Sequence, residues 1–131
     1  MRVLKSLLFA VAAFFAISAA ASAADWQSYS PESFAAAQAS GKPVIVHIHA
    51  VWCPTCKAQM PTLDELRQDG ALKDAVFMRV DFDSQKDFLR THRVSSQSTI
   101  LIFKGEKEAA RSVAETNRDR LRAMVLGNAQ S

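Results

Sequence analysis

The spacing of apolar and polar positions changes several times along this chain, and each change marks an element. Residues 44–50, VIVHIHA, form a β-rich run that reads as a buried strand. After it the period lengthens. Met60, Leu63 and Leu66 line one face of a helix that starts at Cys53, carries Pro61 inside it as an expected kink, and ends at Asp69-Gly70. Residues 76–82 read as the next strand, and Asp83 is placed to cap a helix reaching about His92 with Phe88 and Leu89 inward. Residues 99–103 are a strand, Lys104-Gly105-Glu106 is a tight turn, and residues 109–113 pair back as a hairpin. Upstream, Ser30-Pro31 looks like an N-cap followed by proline at the first helical position, with residues 34–39 continuing the helix and Gly41 stopping it. Downstream, Asn117 caps a last helix carrying Leu121, Met124 and Val125, stopped by Gly127.

The resulting order, α-β-α-β-α-β-β-α, is a parallel βαβ unit followed by an antiparallel hairpin and a closing helix. It predicts an α/β fold with a mixed central sheet of about four strands, flanked by helices on both faces.

Residues 1–23 have a different pattern. Arg2 and Lys5 precede an apolar run over residues 7–17, and Ala21-Ser22-Ala23 supplies small residues in an Ala-x-Ala arrangement. The run is too short to span a bilayer comfortably, so the segment reads as a secretory signal peptide cleaved after Ala23. Residues 24–131 then form one domain in an oxidising, periplasmic compartment. Loss of Arg2 and Lys5 lowers the formal net charge from +3 to +1. The basic balance is partly a property of the leader, and gives no case for nucleic acid or a membrane surface as partner. We expect a monomer.

The candidate chemistry is concentrated in Trp52-Cys53-Pro54-Thr55-Cys56, which holds both cysteines of the chain. A Cys-x-x-Cys pair at a strand-to-helix junction suits reversible dithiol–disulfide chemistry. At the helix start, free amides and the positive helix end favour the Cys53 thiolate, while Pro54 has no amide hydrogen to lose. Cys56, one turn further in and less exposed, is placed to attack a mixed disulfide on Cys53. Cys53 is therefore the expected nucleophile and Cys56 the resolving thiol, with no cofactor beyond their own disulfide. A purely structural bridge would close too short a loop to stabilise much.

With its neighbours, this segment resembles the thioredoxin active site. Trp52-Cys53-Pro54-Thr55-Cys56-Lys57 is similar to the family motif, and Pro61 matches the family's helix-kinking proline. Leu63-Asp64-Glu65-Leu66, Val80-Asp81-Phe82-Asp83, and residues 99–103 with Lys104-Gly105-Glu106 resemble the helix continuation, the following strand end and the hairpin. The resemblance covers residues 44–126. It implies a thioredoxin fold and a protein disulfide oxidoreductase acting on protein thiols and disulfides. Cys56 and Thr99 are 43 residues apart, close to a minimal thioredoxin. That leaves no room for the helical insertion of exported thiol oxidases, so the expected direction is reduction, with a membrane-embedded thiol donor supplying electrons.

Two departures from the family pattern stand beside the cysteines. In Gln97-Ser98-Thr99, Ser98 occupies the position of the family's cis-proline, whose loop pairs with substrate. A cis bond before a non-proline residue costs about 3–4 kcal/mol, so a trans Gln97–Ser98 bond is expected, with the Ser98 hydroxyl able to reach the thiolate. His47 and His49 share a strand face with Ile45. By the alignment, His47 replaces the buried aspartate that moves protons for the resolving cysteine, and His49 replaces a packed tryptophan. A histidine could carry that proton at a pKa nearer neutrality, and Arg79 beside it would favour the neutral ring. A competing reading is a metal-binding module: Cys53 and Cys56, with His49, would hold copper or zinc, or two chains would share an iron–sulfur cluster.

Overall fold

The computed structural model describes residues 24–130, so the segment read as a leader lies outside the described residues. In chain order the elements are β1 (Trp26–Ser28), α1 (Pro31–Ala39), β2 (Val44–His49), α2 (Pro54–Arg67), a 3-10 turn (Gly70–Leu72), β3 (Val76–Asp81), α3 (Lys86–Thr91), β4 (Thr99–Lys104), β5 (Lys107–Val113) and α4 (Arg118–Ala129). The strands form one mixed sheet in the order β1-β3-β2-β4-β5. β3 is parallel to β1 and β2, while β4 is antiparallel to β2 and β5.

The sheet has five strands rather than about four. β1 is only three residues long and shows no alternation, and it is held by parallel pairing of Trp26, Gln27 and Ser28 with Phe77, Met78 and Arg79. Helix limits also differ from expectation. α3 begins at Lys86 with Gln85 at its N-cap, and α4 runs through Gly127 to Ala129, which is buried in the core. Asn117 does cap α4, accepting from the Arg120 amide at 3.0 Å.

The alternation along β2 sorts the core onto two faces. Val44, Val46 and Ile48 join Phe34, Met78, Phe88, Leu101 and Phe103 on one face. Ile45 joins Leu63, Leu66, Phe77, Ile100, Ile102, Leu121 and Val125 on the other. His47, two residues after Ile45, therefore points into the second face with no solvent exposure. His92 is half-buried: its ring centroid lies 4.3 Å from that of Phe88 and 5.2 Å from that of Phe103.

α1 starts as the sequence dictates. The Ser30 hydroxyl accepts from the Ser33 amide at 3.0 Å, the Ser33 hydroxyl accepts from the Ser30 amide at 2.9 Å, and Pro31 opens the helix. Ser30→Ala is expected to lower stability by about 1 kcal/mol, measured as a urea midpoint. No shift in that midpoint would mean that Pro31 alone sets the helix start.

Candidate active site

β2 delivers the chain to the site and α2 leads it away. Ala50, Val51 and Trp52 turn the corner, with Val51 and Trp52 exposed, and Cys53 becomes the N-cap of α2. Its sulfur accepts from the Cys56 amide at 3.1 Å, filling the place that a serine or aspartate oxygen takes at other helix starts. Pro54 follows at the first helical position. The Trp52 indole donates to Asp83 at 2.8 Å, so Asp83 anchors the exposed ring and does not cap α3.

Both cysteines are free thiols, and both are buried. Cys53 is 1% exposed and Cys56 0%, so the expected difference in exposure is nearly absent. The cover comes from the loop before β4. Ser98, itself 2% exposed, places Oγ 3.1 Å from the Cys53 sulfur and 3.2 Å from the Cys56 sulfur.

The two thiols nevertheless differ in proton affinity. Burial pushes the Cys53 thiol up. Hydrogen bonds from the Cys56 thiol, the Ser98 hydroxyl and the amides of Cys56 and Thr55 outweigh it and hold the thiol below its ordinary value. Burial raises the Cys56 thiol, and the Cys53 sulfur raises it further. Of the two thiols, Cys53 is therefore the one that gives up its proton first.

Ser98 is over-determined by its surroundings. The Gln97–Ser98 bond is trans, as expected, since no described peptide bond is cis. Ser98 takes a φ of 62°, a left-handed conformation that costs a non-glycine residue about 1–3 kcal/mol. Its amide donates to the Ile48 carbonyl at 2.8 Å. Its carbonyl accepts from the Ala114 amide at 3.1 Å and from Gln59 Nε2 at 3.0 Å. Thr99 is fixed by its hydroxyl, which donates to the Ser96 carbonyl at 2.8 Å, and Gln97 remains half-buried beside it.

Gln59, which the sequence reading passed over, ties the site together. It has no exposure, and its Oε1 lies 2.9 Å from His47 Nε2. Its Nε2 donates to the carbonyls of Ser98 and Glu115, each at 3.0 Å. A signal for it existed. Cys56, Gln59, Leu63 and Leu66 recur at helical spacing and are all buried, so the inward stripe of α2 runs through Gln59, and Met60 is only half-buried beside it.

His47 departs from the expected near-neutral imidazole. Burial, with help from His49 and Arg79 and against the Gln59 hydrogen bond, pushes it down to about 4. Among the described residues it makes no hydrogen bond to either sulfur, and its link to the site runs through Gln59. Arg79 pairs with His47 in the β2–β3 register and lays its guanidinium 5.0 Å from the Trp26 ring centroid. His49, at the end of β2, is half-buried, and burial and Arg79 lower it. Pro61 sits inside a helix that continues from Pro54 to Arg67. Among the described residues no group of three or more His, Cys, Asp or Glu side chains is arranged to hold a metal, so Cys53, Cys56 and His49 do not converge on one.

This chain is similar in sequence and fold to known proteins. The family described as Thioredoxin matches residues 26–126. Thioredoxin of Chlamydia trachomatis is 35% identical over 99 residues, spanning 76% of this chain and 94% of that protein. Thioredoxin-2 of Saccharomyces cerevisiae is 35% identical over 85 residues, spanning 64% of this chain and 80% of that one. The crystal structure of Trxlp from Edwardsiella tarda superposes with a TM-score of 0.74 at 37% identity, over 82% of this chain and 100% of that one. The match in sequence and fold makes this chain a member of the thioredoxin family of protein disulfide oxidoreductases.

Proposed function

We propose that the protein is an exported, periplasmic thiol–disulfide oxidoreductase that reduces protein disulfides, with Cys53 as nucleophile and Cys56 as resolving thiol. The observation that carries this is the opposite displacement of the two thiols, Cys53 held down at the N-cap of α2 and Cys56 pushed up one turn inside it. The Cys53 thiolate attacks a substrate disulfide. One substrate sulfur leaves with the electron pair of the broken bond, and a Cys53–substrate disulfide forms. Cys56, deprotonated, then attacks the Cys53 sulfur. The Cys53–Cys56 disulfide forms, the second substrate sulfur leaves and takes up a proton, and two electrons have passed to the substrate.

The reducing direction is supported by what separates Cys56 from Ser98: the rest of α2, a 3-10 turn, β3 and α3, with no inserted helical unit. A reductant must return the pair to the dithiol. In an oxidising compartment a membrane-embedded thiol donor fits that need. Trp52, Pro54, Gln97, Ser98 and Thr99 frame the sulfurs where a substrate chain would lie, and His47, His49, Arg79 and Pro61 support them from β2, β3 and α2. His47 acts as a positioning residue through Gln59.

Two measurements test this reading. A Cys56→Ala chain, expressed with its own leader in the native host, should accumulate mixed disulfides with exported proteins that dissociate on reduction. Absence of such adducts would overturn the assignment of roles. The potential of the purified pair against glutathione should lie near the thioredoxin value of about −270 mV, whereas a value near the oxidase value of about −120 mV would reverse the direction.

A further inference from the structure

The Ser98 hydroxyl is in hydrogen-bonding reach of both reacting sulfurs, at 3.1 Å from Cys53 and 3.2 Å from Cys56. A serine hydroxyl has one hydrogen to donate and two lone pairs to accept with. It can therefore donate to only one sulfur at a time. We propose that Ser98 is a catalytic residue that moves its single donated hydrogen bond from one sulfur to the other as the negative charge moves. The proposal rests on Cys53 being the nucleophile and Cys56 the resolving thiol.

When the dithiol loses a proton the charge is on Cys53, so both Ser98 and the Cys56 thiol donate to Cys53. Once Cys53 is bonded to a substrate sulfur it carries no charge and becomes a poor acceptor. Rotation about the Cβ–Oγ bond then turns the hydroxyl hydrogen to Cys56 without moving a heavy atom. The Cys56 proton is released to water and its thiolate is stabilised by the donated bond. That thiolate attacks the Cys53 sulfur: the Cys53–Cys56 bond forms, the Cys53–substrate bond breaks, and the substrate sulfur leaves with the electron pair and takes a proton from water. The same hydroxyl thus serves both steps, each time as a donor to the sulfur that must be anionic.

The site is built for this. Ser98 is almost fully buried, so water does not compete for its hydrogen. Its amide and carbonyl are committed to Ile48, Ala114 and Gln59, which fixes the Cα–Cβ direction in a conformation that serine adopts only under constraint. The other groups acting on the sulfurs are each other and the amides of Thr55 and Cys56, with an Ala50 backbone contact to Cys56. The Cys56 thiol also faces the Ile48 carbonyl at 3.8 Å. His47, on the β2 face, reaches the loop only through Gln59, and no described carboxylate, lysine or histidine hydrogen-bonds either sulfur.

The test uses the reduced protein and glutathione disulfide in a quenched-flow experiment read by mass. The first phase gives glutathione on Cys53, and the second gives the internal disulfide. Ser98→Ala removes the hydroxyl and keeps the backbone constraint. Ser98→Gly removes the hydroxyl and relieves the left-handed backbone. In both variants the second phase should slow about tenfold near neutral pH. The glutathione adduct should accumulate, and the pH profiles of both phases should move to higher pH. An unchanged second phase with an unchanged pH profile in both variants would overturn the proposal. So would a defect in Ser98→Ala that Ser98→Gly repairs, since that would assign the effect to backbone strain. A Cys56→Ala chain that collects no glutathione on Cys53 would remove the nucleophile assignment itself, a failure visible whatever residue stands at 98.

Discussion

Gln59→Leu is expected to destabilise the protein by about 3 kcal/mol, a large share of the roughly 5–15 kcal/mol that holds a domain together. Leucine nearly matches glutamine in size, so the packing of α2 against the sheet survives. What is lost is a buried polar junction. Gln59 Nε2 faces two carbonyls, Ser98 and Glu115, and both can only accept. Its Oε1 must therefore be the atom facing His47, which fixes the His47 hydrogen on Nε2 and leaves Nδ1 an acceptor with no partner among the described residues. Leucine strands the buried His47 donor, removes one of the two bonds on the Ser98 carbonyl, and takes a partner from the part-buried Glu115 carbonyl. Each stranded buried group costs about 1–3 kcal/mol, partly offset by the extra apolar burial. Urea unfolding near neutral pH measures the difference. A loss below about 1 kcal/mol would show that water reaches this junction. The same substitution loosens the left-handed Ser98, so slowed exchange should accompany the lost stability.

Much of this arrangement was legible in the chain because it follows from local rules. The alternation of VIVHIH sends Ile45 and His47 to one face and Val44, Val46 and Ile48 to the other, as the two core clusters show. The Cys-Pro junction marks a helix start, and Cys53 is its N-cap. What escaped depends on distant partners. β1 has no pattern of its own, and its Trp26 is fixed by the Arg79 guanidinium and the Phe77 and His47 rings. Gly127 does not stop α4, because Val125 and Ala129 on either side of it are buried in the core. Asp83 does not cap α3, because the Trp52 indole holds its carboxylate. The Ser98 hydroxyl reaches the Cys53 sulfur as expected, but no spacing in the sequence encodes the left-handed turn at Ser98 or the burial of Cys53.

Stability is expected to fall by about 3 kcal/mol as the pH drops from about 6.5 to about 4, and His47 is the reason. Its folded value of about 4 lies below the ordinary 6.5 of a histidine. The unfolded chain therefore binds the proton more tightly than the folded one throughout that interval, and each step down in pH favours unfolding. Above the interval the ring is neutral in both states and the effect vanishes, while below it the penalty is complete. His49 and His92 are lowered as well and add to the slope with the same sign, but both keep contact with solvent. Asp69, Asp81, Glu108 and Glu115 are held below their ordinary values, so their contribution is lost at lower pH. His47→Gln supplies a donor for Gln59 Oε1 and cannot titrate. Its urea midpoint should change far less than the wild type's between about pH 7 and about pH 4.5. An equal slope in the two proteins would move the acid sensitivity to other groups. Protonation of His47 would place a cation, with no hydrogen-bond acceptor at Nδ1 among the described residues, beside the Arg79 guanidinium, and every group tied to it through Gln59 would feel the change, including the Ser98 carbonyl. Loss of exchange activity in the same acid interval, absent in His47→Gln, is therefore the functional counterpart of the stability slope.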